Sequence, residues 1–509
     1  MQREASRGRR PFPGDEQRIH SAHMPLPTST STATATPVPT VTRHKDQELR
    51  LLSYCLKSAL LPADNTADAD DIPNGKTSEC FLQLSECLMG GVLARQKIAS
   101  GIQAYKLQDY KTAYRDWQIA SRLCDNRELF YTLNYLISLS FDFGQFQKML
   151  NFSVQQFQVG KYLNDTNLIA ESYLNLASSR GLLGNWELCL SYCKNCLLYL
   201  DVSKVGYVYM SICCAYLELS QVAPAVGFLK LTFDICAKEK NYGLVVQSLV
   251  ACSSLFYILK SYNEAKEFAL RAVEVAEAVF GGGASSARFR RTKVHLIPVK
   301  IKLRQLDESL QLCEEAVRGA LDFGDRFVQA KCMLYFADIR RLKGDFEVAY
   351  QSYQAASESG YHYVQVRAML GQAKCIKKWN RDGNSKVSHL KALDIYQKVL
   401  EIAVSMGCKL EVLHSHRRIA STYSVLGEPS SKLGFHMQEI QRLCDELKLL
   451  CVICGELYGT KPDSLKILNC GHIFHARCMT NEREDKPVGR KYCVICRNQT
   501  EDLCDTLLL

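Results

Sequence analysis

Nowhere in this 509-residue chain do roughly 18 uncharged apolar residues follow one another, so no ordinary membrane-spanning helix is expected. The opening stretch, MQREASRGRRPFPGD, has arginines but no apolar core, which excludes a secretory signal. Acidic and then proline-rich sequence follows, fitting a disordered tail better than a mitochondrial transit peptide. The glycines Gly281 to Gly283 are not followed by Lys-Ser/Thr and read as a flexible loop, not a phosphate cradle. There is no Ser/His/Asp set and no positioned pair of carboxylates. His414 and His416, flanking Ser415 beside Arg417 and Arg418, read as a solvated basic face. Clustered Lys/Arg interleaved with aromatics are also missing, which argues against nucleic acid.

The composition itself, 47% hydrophobic and 23% charged, is that of a soluble globular protein. Twenty-three cysteines would suit a disulfide-stapled secreted protein, but a chain this long needs no staples. Six of them fall in a metal-binding pattern, and most others occupy apolar helical positions where cysteine packs as a small hydrophobe. Cys193 and Cys196, with no second pair, belong to that core group. A reducing, cytosolic compartment follows. The net charge of +10 is not in the amino-terminal part, because residues 1–88 hold ten Lys+Arg against eleven Asp+Glu. The basic excess therefore belongs to the folded part, where it suits an anionic membrane surface or an acidic protein segment.

Residues 1–88 include a Pro/Ser/Thr-rich piece that buries too little apolar area to order itself, with a short helix conceivable near Gln47 to Leu60. Beyond them the sequence repeats. A large residue is followed by a small one, a bulky one and another small one: Tyr110, Ala113, Trp117, Ala120. The frame recurs at Trp186, Cys189, Cys193, Cys196; at Tyr262, Ala265, Ala269, Ala272; and at Phe346, Ala349, Tyr353, Ala356. Looser copies centre on Met149, Ala225, Ser309 and Ala392. The small-residue positions are 36, 40, 36, 40, 44, 40 and 43 residues apart. This is a stretched tetratricopeptide signature, whose ordinary period is about 34 residues. It predicts an all-α solenoid of paired helices over 89–430, with a concave face for partners. The plainest inserted loop is Asn380 to Lys386. A further helix over 431–449 places Leu433, Met437, Ile440, Cys444 and Leu447 on one side, as a capping helix or a short coiled-coil contact.

At the carboxy end the series Cys451-x2-Cys454, Cys470-x-His472-x2-His475-x2-Cys478, Cys493-x2-Cys496 supplies eight ligands for two closed tetrahedral Zn2+ sites, leaving no place for a catalytic water. The order and the paired histidines indicate a RING finger over 451–497, not a plant-homeodomain finger. The RING pattern joins Cys451, Cys454, His475 and Cys478 around one ion, and Cys470, His472, Cys493 and Cys496 around the other. Phe474 should enter its small core. Residues 498–509 form a tail. RING domains commonly recruit a ubiquitin-conjugating enzyme. Ile453 matches their apolar contact position, and Arg497 matches the linchpin that clamps activated ubiquitin. Val494 stands where proline is usual, and no Trp lies between Cys478 and Cys493. Both a ligase and a purely structural or docking RING stay open.

The segments ESYLNLA (Glu171 to Ala177), SYCKNCL (Ser191 to Leu197), FADIRRLKGDFEVAY (Phe336 to Tyr350) and CGHIFHARC (Cys470 to Cys478) occur in one order with this zinc spacing. Over Met89 to about Thr500 the chain resembles the rapsyn family, receptor-associated proteins of the synapse. That resemblance implies a cytosolic scaffold peripheral to the postsynaptic membrane. It would bind cytoplasmic segments of acetylcholine receptor-type channels, cluster them, link them to the cytoskeleton and be capable of self-association. It also implies a myristoylated glycine, for which Gly90 after Met89 is the candidate, although Ala94 replaces the Ser/Thr that acylation prefers. The loop from Cys478 to Cys493 is longer than the family suggests. The alternative function is a RING-type ubiquitin ligase whose repeats bind substrate.

Overall fold

The computed structural model describes residues 76–199, 205–280, 287–379 and 385–447, and in the terminal module 449–459, 464–468, 470–480 and 493–497. The expected helix near Gln47, the glycine loop at 281–283, most of the insertion at 380–386 and the long loop after Cys478 lie outside them. The described residues divide into two units, one ending at Leu93 and one beginning at Ala94. Among the described residues no helix is long and apolar enough to cross a membrane.

Among the described residues, eighteen helices run to the start of the terminal module. They are α1 (Lys76–Lys106), α2 (Tyr110–Leu123), α3 (Asn126–Asp142), α4 (Phe146–Leu163), α5 (Thr166–Leu182), α6 (Trp186–Tyr199), α7 (Val205–Glu218), α8 (Val222–Glu239) and α9 (Tyr242–Ile258). After these come α10 (Tyr262–Phe280), α11 (Ala287–Lys302), α12 (Leu306–Phe323), α13 (Arg326–Lys343), α14 (Phe346–Ser357), α15 (His362–Trp379), α16 (Ser385–Ser405), α17 (Lys409–Leu426) and α18 (Ser430–Leu447). Helix α1 begins inside the segment read from sequence as a disordered tail ending at 88.

The repeat frame falls on the second helix of each pair. All eight small-residue positions, from Ala113 to Ala392, are buried. Among the described residues, the turns before seven of the second helices, α2 to α14, each carry one left-handed residue: Gln108, Gly144, Gly184, Ser220, Lys260, Arg304 and Gly344. These recur at the frame's own spacings. Four are not glycine and accept a conformation costing about 1–2 kcal/mol because the tight turn requires it. The first helices are started by side-chain caps, such as Asp125 to the Glu128 amide (2.8 Å) and Asp325 to that of Val328 (3.2 Å).

Packing between helices follows from size. A β-carbon on Gly371 of α15 would run into the ring of Tyr353 on α14, and one on Gly101 would meet Trp117. The frame's bulky residues thus fill holes left by glycines opposite. Successive first helices also touch one another, α7 with α9, α11 with α13, and α13 with α15. They therefore line the tighter, concave side. The curvature is strong enough to bring distant turns together. Arg291 of α11 pairs with Asp325 at 3.0 Å and donates to the Phe141 carbonyl in the last turn of α3, while the Tyr361 hydroxyl donates to the Gly144 carbonyl at 2.9 Å. Phe146, Phe327 and Tyr361 close this seam, with ring centroids 5.0–5.6 Å apart.

One expectation fails here. Ser415 and His416 are buried, not solvated, and His416 Nδ1 lies 2.7 Å from His436 Nδ1 on α18. Helix α18 packs on α17 with His436, Leu443 and Leu447, and Ile440 and Cys444 lie beside them; of the predicted stripe Met437 is exposed. Cys189, Cys193 and Cys196 are buried, and Cys196 donates to the Ala170 carbonyl at 3.1 Å, as core cysteines would.

Candidate metal centre

The terminal module is built on little regular structure. Strands β1 (Leu465–Ile467) and β2 (Ile473–His475) pair antiparallel, with Leu465 opposite His475, and lead into α19 (Ala476–Thr480). Phe474 is fully buried, and the Tyr458 hydroxyl donates to the Ile473 carbonyl at 2.6 Å. Two Cys-x2-Cys knuckles turn in the same way. The Gly455 amide donates to the Cys451 carbonyl at 2.7 Å, and the Arg497 amide to that of Cys493 at 2.8 Å. Both residues have positive φ, +70° at Gly455 and +59° at Arg497.

These turns and strands bring the eight sequence-predicted residues into two groups, Cys451/Cys454/His475/Cys478 and Cys470/His472/Cys493/Cys496. The ligand atoms of each group all lie within 4.8 Å of one another. Cys454 Sγ is 3.3 Å from His475 Nδ1 and Cys478 Sγ is 3.9 Å from it; Cys470 Sγ and Cys493 Sγ are 3.3 and 3.5 Å from His472 Nδ1. A tetrahedral zinc with bonds near 2.3 Å to sulfur and 2.0–2.1 Å to nitrogen sets its ligands about 3.6 Å apart. The groups fit that ion. Burial first, and the neighbouring cysteines second, push Cys470 and Cys478 up to about 12, so a cation is what makes such thiols available as thiolates.

The other candidate residues are placed as follows. Ile453 is half-buried and packs against the module's core, and Arg497 is exposed. Beside them Val452, Val494 and Ile495 expose an apolar surface across both knuckles, which the motif did not single out. Gly90 lies within α1, with no atom near the position of a β-carbon. Ala94, one turn on, is fully buried among Ala120 and Cys124, so the missing hydroxyl there coincides with a packed site.

The module also rests on the solenoid. Its core is continuous with that of α7 to α11; Gly459 fits against Lys260 and the Leu259 carbonyl, and Gly471 faces Val226.

Two family models match the chain. One describes the rapsyn N-terminal myristoylation and linker region and covers residues 89–167. The other, a zinc-RING finger domain, covers 450–498. The match to the first begins at Met89. The chain is 29% identical over 423 residues to the 43 kDa receptor-associated protein of the synapse of Tetronarce californica, spanning 81% of this chain and 98% of that one. It is 30% identical over 416 residues to the Gallus gallus protein of the same description, spanning 80% and 98%. Among solved structures, a Rap protein complexed with competence and sporulation factor has the same kind of helical fold, with a TM-score of 0.50, 12% identity, and coverage of 70% of this chain and 98% of that one. With repeats and zinc finger both accounted for along nearly the whole length of these relatives, the chain belongs to the rapsyn family.

Proposed function

We propose that this protein is a cytoplasmic, peripheral-membrane scaffold of the postsynaptic membrane. It binds cytoplasmic segments of acetylcholine receptor-type channels, gathers them into clusters and connects them to the cytoskeleton. One observation carries the reading: relatives described as receptor-associated proteins of the synapse align over 98% of their length. The eight-residue zinc cage serves as a rigid terminal module holding two Zn2+ ions, with the groups named above as ligands. Membrane contact comes from two weak signals. A myristoyl chain on Gly90, in a form starting at Met89, gives only about 10⁴ M⁻¹. Basic residues near an anionic surface add roughly 1 kcal/mol each.

Co-expression with a receptor-type channel in a cell lacking both tests the scaffold. Receptor should move from diffuse to clustered, and the form starting at Met89 should sediment with membranes while its Gly90→Ala variant does so less. Receptor left diffuse at equal expression would overturn the proposal. A ligase role is the second reading, favoured by exposed Arg497 beside the apolar surface of Val452, Val494 and Ile495. Arg497→Ala should then abolish autoubiquitination at unchanged zinc content, and equal activity in both proteins across a panel of conjugating enzymes removes the linchpin.

A further inference from the structure

The concave helices α11, α13, α15 and α17 carry polar residues at two equivalent levels. The first is His295, Lys331, Arg367 and Glu411; the second is Lys302, Asp338, Lys374 and Arg418. Both are spaced 36, 36 and 44 residues. The first level is satisfied from within. Arg367 lies 4.0 Å from Glu411, stacks on Tyr363 and reaches Tyr257 of α9 at 5.8 Å. Burial would raise the Glu411 carboxyl, but His414 and Arg367 hold it down at about 2. Burial pushes His295 down to about 3, so it is neutral, and burial also pushes Lys331 down to about 8, although Glu218 of α7, a carboxylate not taken by another cation at this level, faces it.

The second level is not satisfied. Its carboxylate, Asp338, is already engaged by Arg341 at 2.9 Å and by the Tyr353 hydroxyl at 2.6 Å. Among the described residues Lys302, Lys374 and Arg418 have no carboxylate within ion-pair distance. Lys260 and Lys377 add further positive charge to the same space. Burial first, and like charge second, push Lys374 down to about 8, where Arg418, Asp338, Arg341 and Lys302 all face it. The Arg418 Nε atom is buried with no hydrogen-bond partner. Lys302 and Arg418 lie over the Tyr257 and Tyr396 rings, and the carboxylate that faces Lys302 and Lys374, Asp338, is already engaged, so an entering anion would supply counter-charge they lack.

We propose that this second level is a binding site for an extended acidic peptide segment of a partner, whose carboxylates engage Lys302, Lys374 and Arg418. It rests on reading the repeats as the partner-binding part of the scaffold. Lys302 is exposed, and Lys374 and Arg418 are half-buried on the concave helices, a placement that suits a single chain better than a flat lipid surface. Packed helices stand about 8–10 Å apart, and an extended chain advances about 3.3 Å per residue. Acids at every third position therefore fall at successive helices, so that those opposite α11, α15 and α17 meet Lys302, Lys374 and Arg418 while the one between faces the Asp338–Arg341 pair.

The test uses the full zinc-loaded chain and a fluorescein-labelled synthetic peptide with glutamate at every third position and Gly/Ser between. Anisotropy should show saturable binding that is absent for the glutamine version and weakened about tenfold or more by Lys374→Gln. That variant removes a desolvated charge and should keep its helical signal; Lys302→Gln, at an exposed site, serves if it does not. Near pH 8 calorimetry in two buffers should show proton uptake, because a bound carboxylate raises Lys374 from about 8. Uptake should vanish near pH 6.5, where that lysine is already charged, and in Lys374→Gln. The site is overturned by no saturable binding, by binding unchanged in both lysine variants, or by phosphatidylserine vesicles replacing the peptide with the same dependence on Lys374. The peptide contains no receptor sequence. Receptor clustering that survives failed peptide binding sinks this site alone, and the reverse sinks the scaffold alone.

Discussion

In the repeats, a residue such as Tyr353 is enclosed by side chains of its own and neighbouring helices, and many large residues are buried as completely. In the zinc module Phe474 is the one large side chain among those fully enclosed, and around it lie β1, β2, α19 and two four-ligand groups. A module this small cannot bury enough apolar surface to offset its ordering entropy, so metal coordination supplies the difference. Among the described residues the solenoid has no such centre. Its stability is divided among repeat interfaces, each contributing modestly.

That contrast breaks most visibly at the metal. Cys470→Ala or His475→Ala should unfold the zinc module, since a structural site contributes on the order of 10 kcal/mol in isolated peptides. Far-UV circular dichroism should stay nearly unchanged while zinc content falls and proteolysis opens the segment after α18. Clearly fewer than two zinc ions per wild-type chain would contradict the two-site arrangement. Next in size is the seam. Arg291→Ala leaves Asp325, itself fully buried, without its partner, at a cost of about 3–5 kcal/mol. Small-angle scattering should show a more open solenoid, with zinc retained; an unchanged radius means the seam does not set the curvature. Smallest is Gly371→Ala. Its methyl group collides with Tyr353, and overpacking of this kind costs about 1–3 kcal/mol. Thermal unfolding should shift down, and restoring space with Tyr353→Leu should recover part of the loss.

Legibility differed between the two regions for physical reasons. The zinc ligands were visible because a tetrahedral ion fixes residue type and short spacing, so Cys451-x2-Cys454 and Cys493-x2-Cys496 leave few alternatives. The repeat frame was visible because each small residue from Ala113 to Ala392 serves the same packing contact, once per unit. His416 was misread because its partner, His436, sits on the next helix, and nothing local distinguishes a buried histidine from a solvated one beside two arginines. The concave face was hidden for a related reason. Lys302, Lys374 and Arg418 look like ordinary helix-surface residues until the repeat phase and the direction of curvature are both known.

What the sequence determined alone, then, is everything with a short period or a short range: paired helices, their small-residue contacts, and the interleaved metal ligands. What only the tertiary structure decided depends on how small rotations between repeats accumulate. Those rotations bring Phe141 to Arg291, seat Gly459 on Lys260, and gather cations from successive helices around one wall. No single unit encodes them, because each interface contributes part of the turn and the contacts that close the seam lie some 150 residues apart.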